Sequence, residues 1–140
     1  RKGGVEELVK AHDSLPEFSA SSYGFREIEK RLEGKKSIIL LAEINSELAG
    51  FKAGYETSEG EFYSWLGGTM PKYRGKGVAT NLLMSLEFDL IEKGYKRLYF
   101  NTKNKYKPMI FFAVKHGFNI FDFEKRGDVL NNRIWFEKSF

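Results

Sequence analysis

The stretch from Thr69 to Thr80 carries the residue types that bind an anion through the main chain. An apolar segment runs into a loop with Gly75 and Gly77, and the loop leads directly into an amphipathic helix. The first turn of a helix leaves N–H groups without intrahelical acceptors, and aligned peptide dipoles add about half a positive charge there. Glycine removes the side chains that would hold a phosphate away from these donors, and Arg74 and Lys76 add positive charge. The segment therefore predicts a pyrophosphate-binding site.

Two other phosphate-binding motifs do not fit this stretch. A P-loop requires glycine five residues before its Gly-Lys pair and Ser or Thr after it, but Met70 and Gly77 occupy those positions. A dinucleotide fingerprint requires a third glycine where Thr80 stands, and an early βαβ unit around it. The plain structural alternative is that Gly75 and Gly77 only permit a tight turn between strand and helix.

Hydrophobic periodicity predicts the elements that must position this loop. Helices are expected at Val5–Ala11 (ending near Pro16), Phe25–Leu32 and Lys105–Lys115. Another helix is expected directly after the loop, with Ala79, Leu82, Leu83, Leu86 and Leu90 on its apolar face and Gly94 at its end. Strands are expected at Ser37–Ile44, Leu48–Tyr55, Glu61–Thr69, Arg97–Thr102, Asn119–Glu124 and Arg133–Lys138. The first three strands are typical of an antiparallel meander. This order predicts an α/β fold with a mixed sheet, as one domain over residues 1–140.

The composition narrows the classes of protein. The chain has 140 residues, 41% of them hydrophobic and 16% aromatic, which suits one globular core. It has no cysteine, which excludes disulfides, thiolate metal sites and a cysteine nucleophile and favours a cytoplasmic location. No apolar run approaches the roughly 18 residues of a membrane span, so no membrane partner is expected. The net charge of +4 comes from scattered basic residues, which indicates a solvated surface and no nucleic-acid partner.

Two motifs resemble the acyl-CoA signature of the GNAT superfamily of N-acyltransferases. The first is Arg74-x-x-Gly77-x-Ala79, preceded by Pro-x-Tyr and followed by two leucines. The second is a strand ending near Asn104, then a helix closing with Lys-His-Gly-Phe at 115–118. The resemblance covers nearly the whole chain. It implies a mixed central sheet, with an antiparallel meander and a splayed parallel pair, flanked by about four helices. The family usually begins with a strand before the first helix, and residues 1–4 are too short to supply it.

The resemblance implies that acetyl-CoA is the cosubstrate, and it assigns three groups of contacts. Its pyrophosphate would be held by the loop and the first helical turn, namely Arg74, Gly75, Lys76, Gly77, Val78, Ala79 and Thr80. Gly68, Thr69 and Met70 would pair with the pantetheine arm in the manner of an added strand. Asn104 would contact the cofactor where the parallel strands separate. A plain helix N-cap is the alternative role for Asn104, and the two are compatible.

The catalytic residues are marked less clearly than the cofactor site. Many family members carry a tyrosine general acid five residues before the phenylalanine of the Gly-Phe pair, but Ala113 stands there. Tyr106, one turn earlier, and a water molecule are the two candidates for this role, and the sequence does not choose between them. The position of Glu61 resembles that of a catalytic glutamate base in part of the family. The alternative is that Glu61 is an exposed residue that follows a turn and has no catalytic role. His12 and His116 lack metal-ligand spacing, so no metal is expected.

The resemblance implies an N-acetyltransferase that moves an acetyl group from acetyl-CoA to a primary amine. Without cysteine, direct attack in a ternary complex is the simple route. The alternative is an acyl-CoA-binding sensor or partner module of the same fold without turnover, which Ala113 favours. A nucleic-acid-binding protein would rest on the basic excess alone. The acceptor amine, small or protein-borne, and the oligomeric state, with a homodimer among the options, stay open at this point.

Overall fold

The computed structural model describes residues 1–15 and 24–140. The helices in this part of the chain are α1 (Val5–Asp13), α2 (Phe25–Leu32), α3 (Val78–Glu92) and α4 (Lys107–Lys115). The strands are β1 (Ser37–Ile44), β2 (Glu47–Ser58), β3 (Glu61–Thr69), β4 (Arg97–Lys103), β5 (Asn119–Glu124) and β6 (Arg133–Ser139). Short 3-10 helices lie at Pro71–Tyr73 and Val129–Asn131. Pro16, near which the first helix is predicted to end, lies outside the described residues.

The strands form one mixed sheet in the order β1-β2-β3-β4-β6-β5. β1, β2 and β3 make the predicted antiparallel meander. Asn45 and Ser46 turn β1 into β2 with positive φ angles of 52° and 64°, as a tight hairpin turn requires. β6 lies between β4 and β5 and is antiparallel to both. The predicted α/β fold, with a meander, a parallel pair and four flanking helices, is confirmed.

The parallel pair formed by β3 and β4 is short. Three residue pairs are in register, from Glu61 opposite Arg97 to Tyr63 opposite Tyr99. β3 continues to Thr69 while paired with β2, and β4 continues while paired with β6. The two strands therefore separate after Tyr63 and Tyr99. We call the resulting opening the strand gap.

An apolar core lies on each face of the sheet. On one face, Leu86 and Leu90 of α3 pack with the fully buried Phe62 of β3. On the other face, Leu8 of α1 packs with Phe51 of β2. This second core is built on β1, β2 and β3, so the same face of β4, β6 and β5 keeps partly exposed side chains.

Close packing of α3 on the sheet depends on a glycine in β2. A Cβ atom at Gly50 would lie 2.8 Å from Cγ1 of Val78 and 2.9 Å from the main-chain oxygen of Gly68. Val78 is buried, whereas Ala79 is exposed. The prediction that Ala79 belongs to the apolar face is therefore wrong, because the helix begins at Val78 and turns that residue towards β2.

The start of α4 also differs from the prediction. The helix begins at Lys107, two residues later than expected, with Tyr106 as its N-cap and Pro108 in the first turn. Asn104 is therefore not the N-cap of this helix, and that alternative for it is wrong. The reason is that Asn104 and Lys105 donate their main-chain N–H groups to the segment before β6, at Asn132 O and Leu130 O, at 2.7 and 3.0 Å.

The outer edge of β1 is paired with the first residues of the chain. Lys2 forms a β-bridge with Leu40, and Gly3 donates its N–H to Ile39 O at 2.9 Å. The main-chain oxygen of Arg1 accepts a hydrogen bond of 2.7 Å from Leu41. Residues 1–3 thus lie where the resemblance implies an outer strand, although they form a single bridge. No helix in the described ranges has the length and apolar content of a membrane span.

Candidate functional site

The loop before α3 takes a conformation that glycine makes accessible. After the 3-10 helix at Pro71–Tyr73, Gly75 and Gly77 have φ angles of 78° and 82°, in the left-handed region where side chains cause strain. No heavy atom lies within 4 Å of a Cβ built at either residue, apart from chain neighbours. Glycine is therefore favoured at these two positions by the backbone conformation and not by lack of space. The open surface also leaves the main chain accessible.

The main-chain donors of this loop are unpaired. Throughout residues 1–15 and 24–140, no protein acceptor is found for the N–H groups of residues 75 to 80. The N–H of Arg74 donates to Pro71 O at 3.3 Å, and that of Asn81 to Gly77 O at 3.0 Å, so the unpaired run has a defined start and end. Gly77 offers no side-chain cap, and the first turn of α3 has no acidic residue. Six consecutive donors therefore surround one helix N-terminus, which is the arrangement that binds anions.

The loop before α3 is held in place by Glu47, the first residue of β2. Tyr73 is buried and donates its hydroxyl to Glu47 Oε2 at 2.6 Å, and Lys72 Nζ donates to the same oxygen at 3.0 Å. These two hydrogen bonds lower the pKa of the Glu47 carboxyl, Tyr73 contributing most. Arg74 Nε donates to Thr69 O at 3.1 Å, which joins the loop to the end of β3.

The three residues predicted to contact pantetheine lie at the end of β3 or directly after it. They differ in the direction in which their main-chain groups point. Met70 donates its N–H to Ala49 O at 2.8 Å, and Gly68 pairs with Phe51, so the main chain at both positions faces β2. Because main-chain groups alternate along a strand, those of Thr69 face the opposite edge, towards the strand gap. A Cβ at Gly68 would lie 2.2 Å from Cδ1 of Leu15. Position 68 is therefore glycine for the packing of the α1 side of the sheet.

Three polar side chains form a hydrogen-bonded row from the strand gap across β4 to β6. Asn101 of β4 donates from Nδ2 to the hydroxyl of Tyr63 on β3 at 2.9 Å, and its Oδ1 accepts from Nη1 of Arg133 on β6 at 2.6 Å. Burial raises the pKa of the Tyr63 hydroxyl, so this group stays protonated at neutral pH. Asn101 and Arg133 are not among the residues predicted from the sequence. The alternation Tyr99-x-Asn101 on a predicted strand was the available signal.

Asn104 and Tyr106 lie beyond the end of β4. Asn104 donates from Nδ2 to Val129 O at 3.3 Å, and its Oδ1 accepts from Lys107 Nζ at 2.8 Å. Tyr106 is exposed at the N-cap of α4, with Lys105 Nζ 5.2 Å from the centre of its ring. The amide that lies directly at the strand gap is that of Asn101. The predicted roles of Asn104 and Tyr106 stay predictions.

Glu61 lies at the first registered pair of β3 and β4. This pair is at the far end of β3 from residues 74–77, the loop before α3, which we call the anion loop. The Glu61 carboxylate accepts hydrogen bonds from Ser58 Oγ and from Arg97 Nη1, the latter at 2.8 Å. Both interactions lower its pKa, Ser58 contributing most. A lowered pKa weakens a carboxylate as a base. The predicted role of Glu61 as general base remains untested, and its surroundings count against it.

Two further residues complete the surroundings of the loop. His116, at the C-cap of α4, has Nε2 3.2 Å from Oγ1 of Thr80 in the first turn of α3. This contact of His116 was not predicted, because the approach of α4 to α3 is not visible in local sequence patterns. Ala113, at the position expected for the tyrosine acid, is fully buried in the core beneath α4. In the described ranges, no cluster of three His, Cys, Asp or Glu side chains could hold a metal ion.

Comparisons with known proteins agree with this geometry. The model of the acetyltransferase (GNAT) family matches residues 5–118. An acetyltransferase from Pectobacterium atrosepticum is 34% identical over 74 residues, 52% of this chain and 51% of that protein. This chain therefore aligns with about half the length of that relative.

Solved structures show the same fold. Ard1 from Thermoplasma volcanium has a TM-score of 0.82 at 17% identity, over 99% of this chain and 95% of that one. The PaiA N-acetyltransferase from Thermoplasma acidophilum, in complex with coenzyme A, has a TM-score of 0.79 at 18% identity, over 100% of this chain and 97% of that one. Since the family model also spans most of the sequence, the chain belongs to the GNAT acetyltransferase family.

Proposed function

We propose that this protein is an N-acetyltransferase that moves the acetyl group of acetyl-CoA to a primary amine by direct attack in a ternary complex. The observation that carries the proposal is the run of six unpaired N–H donors from Gly75 to Thr80 at the start of α3. A pyrophosphate is the part of CoA that such a run can bind. Related folds support this choice, because the PaiA structure contains coenzyme A.

The residues present fit the cosubstrate. Gly75 and Gly77 leave open space beside the donors, and Arg74 and Lys76 add two positive charges to the loop. The main chain of Thr69 faces the strand gap, where an extended pantetheine arm could pair with β3. The Thr69 N–H would then polarise the thioester carbonyl, a preorganised donor of the kind that stabilises developing oxyanions.

The chemistry requires a neutral amine. Its nitrogen forms a bond to the thioester carbonyl carbon, the carbon–sulfur bond breaks, and CoA leaves as the thiolate. The nitrogen loses one proton, which passes to water and finally to the thiolate or the solvent. Deprotonating an alkyl amine at pH 7 costs about 4–5 kcal/mol, whereas releasing an unprotonated thiolate costs only about 2 kcal/mol. Positioning the amine matters more than a general acid, so Ala113 in place of the tyrosine slows the reaction without preventing it.

Substitutions in the loop test the proposal. Gly77→Asp places a carboxylate among the unpaired donors, and Arg74→Glu reverses a charge beside them. We expect each to abolish acetyl-CoA binding in calorimetry while circular dichroism shows a folded protein. Gly127→Asp is the matched control, because Gly127 also has a positive φ, of 77°, with no atom within 4 Å of its Cβ, and lies in the loop before β6. Unchanged acetyl-CoA affinity in a folded Gly77→Asp variant would contradict the proposal.

A second candidate is an acyl-CoA-binding module without turnover. Ala113 favours it, because this fully buried position carries no hydroxyl to protonate a leaving thiolate. Thiol release in the presence of amines, compared with acetyl-CoA binding alone, separates the two functions. Binding without amine-dependent thiol release, over polyamines, amino acids, aminoglycosides and peptide N-termini, would select the second candidate.

A further inference from the structure

On the α1 side of the sheet, the part of the face that no described helix covers presents a surface of aromatic rings. Tyr63, Tyr99 and Trp135 come from the adjacent strands β3, β4 and β6 and are partly exposed. Their ring centres are 5.2 to 6.2 Å apart, and their planes differ by only 31° to 38°. Phe121 stands edge-on to Tyr99 and Trp135, at 81° and 63°. We call Tyr63, Tyr99 and Trp135 the ring platform, and Phe121 forms its wall on the β5 side.

Three acidic side chains around the ring platform already form ion pairs, namely Glu61, Glu137 and Glu124. Arg97 binds Glu61 and Glu137 at 2.8 and 2.7 Å, and its guanidinium lies 4.4 Å from the centre of the Tyr99 ring and 4.6 Å from that of Phe121. The protein's own arginine therefore occupies the position that a bound cation would take. Glu124 binds Arg126 and accepts from Trp135 Nε1 at 2.9 Å.

Asp122 is the remaining carboxylate next to this surface. It is exposed on the outer strand β5 and accepts a hydrogen bond of 2.7 Å from the main-chain N–H of Phe123. Within the described residues Asp122 forms no ion pair, whereas Glu61, Glu124 and Glu137 do, so the surface offers a single available carboxylate to a molecule with several positive charges. The surface is thus poorly suited to polyamines and aminoglycosides.

Arg133 differs from the other two arginines of this surface. Its Nη1 donates to Asn101 Oδ1 at 2.6 Å, and within the described ranges no carboxylate lies within 4.0 Å of its guanidinium. The side chain is partly buried, with Lys103 directly opposite it in the β4–β6 register and Glu124 opposite it in the β5–β6 register. Glu124 forms its ion pair with Arg126 and attracts Arg133 only at longer range, so the partly buried charge of Arg133 has no direct ion pair among the described residues, which costs free energy. A guanidinium in this state is suited to binding a carboxylate through two parallel hydrogen bonds.

This charged group lies where the reaction would occur. Through Asn101, Arg133 is linked to Tyr63, the last β3 residue paired with β4, so the arginine, the ring platform and the strand gap adjoin one another. An acceptor that placed a carboxylate on Arg133 and an apolar body on the platform would bring a nearby amine to the strand gap.

We propose that the acceptor is a small amino carboxylate with an apolar or aromatic body, such as a free amino acid, whose carboxylate binds Arg133 and whose body lies on the ring platform. This inference rests on the proposed acetyltransferase function. Two features of this surface support it: among the described residues Arg133 forms no direct ion pair, and Glu61, Glu124 and Glu137 are each paired with another arginine.

The test compares three amines that differ only in the carboxylate: phenylalanine, phenylalaninamide and 2-phenylethylamine, with spermidine as a polycation. Thiol release from acetyl-CoA gives kcat/KM for each. In the wild-type protein we expect phenylalanine to exceed its amide by about 10- to 100-fold, the range of a charge-assisted hydrogen-bonded pair. Arg133→Gln should remove that preference, and Arg133→Lys should retain part of it. Arg26→Gln, which removes an exposed charge from α2, is the control and should leave the preference unchanged.

Binding to the CoA-saturated protein, measured by calorimetry with the same four amines, provides a second readout. Preferential binding of phenylalanine that disappears in Arg133→Gln supports the inference even if turnover is slow. Equal or better use of the amide, phenylethylamine or spermidine would overturn it while leaving the acetyltransferase proposal intact. Binding of CoA without binding or turnover of phenylalanine would also overturn it, whereas failure to bind CoA would remove the proposed function itself.

Discussion

The guanidinium of Arg97 lies 2.8 Å from the carboxylate of Glu61, the residue that the sequence offers as the general base. The same guanidinium binds Glu137 at 2.7 Å, so Arg97 lies between the two carboxylates and binds both. Hydrogen bonds from Ser58 and Arg97 lower the pKa of Glu61. We infer that Glu61 fixes the registered part of β3 against β4 and that amine deprotonation does not depend on it.

The first prediction concerns Glu61→Gln. We expect kcat to change by less than about tenfold, whereas loss of a general base costs roughly 100-fold or more. Glu137→Gln is the matched control, because it removes the other carboxylate from Arg97. Similar pH profiles of kcat for the two variants and the wild type would support a positioning role. Loss of the rise in kcat with pH in Glu61→Gln alone would restore Glu61 as the base.

The second prediction separates packing from cofactor contact at Gly68. A methyl group there would lie 2.2 Å from Leu15 Cδ1 and 3.2 Å from Phe51 Cε1, so Gly68→Ala should lower the free energy of unfolding by about 1–3 kcal/mol. Denaturant titration measures this loss. Adding Leu15→Ala to Gly68→Ala should cost less than the sum of the two single changes, because the methyl group then has room. Strict additivity of the two costs would contradict the packing explanation.

The third prediction concerns the pH dependence of stability. Lys52 lies on β2, on the sheet face that α3 covers, and burial lowers its pKa to about 8, partly opposed by the charge of Glu87. Between pH 8 and 10.5 the unfolded chain still holds this proton while the folded protein has released it. The free energy of unfolding should therefore rise with pH over this window, by at most about 3 kcal/mol since the side chain keeps some exposure.

Lys52→Met tests this linkage. The variant should be more stable than the wild type at pH 7, and its stability should vary less between pH 8 and 10. Lys36→Met, at an exposed lysine, serves as the control and should keep the wild-type pH dependence. If Lys52→Met retains the same rise as the wild type, burial of Lys52 is not its origin.

The anion loop was predictable because its signals are local. Gly75, Gly77 and the amphipathic pattern of α3 lie within one short segment, and helix N-termini present unpaired donors wherever no side chain caps them. The strands were predictable for a similar reason, since alternation and turn residues mark β1, β2 and β3. The local sequence was therefore sufficient for the loop and most of the fold.

The side chains that meet at the strand gap could not be predicted from the local sequence. Arg133 meets Asn101 only because β6 inserts between β4 and β5, and this strand order depends on pairing between distant segments. The contact between Thr80 and His116 likewise depends on where α4 packs. Gly68 was predicted as a pantetheine contact, whereas its close approach to Leu15 is a long-range contact that no local pattern reveals.

The donors from Gly75 to Thr80 can be observed directly by amide NMR of the isotope-labelled protein titrated with acetyl-CoA. Because residues 1–15 and 24–140 provide no acceptor for these N–H groups, binding of the pyrophosphate should give them a hydrogen-bond partner. We expect the resonances of residues 75 to 80 to shift most strongly and their exchange with solvent to slow by more than about tenfold, with little change for the paired N–H of Asn81. Saturation with acetyl-CoA that left these six amides unshifted and unprotected would contradict the assignment of the cofactor site.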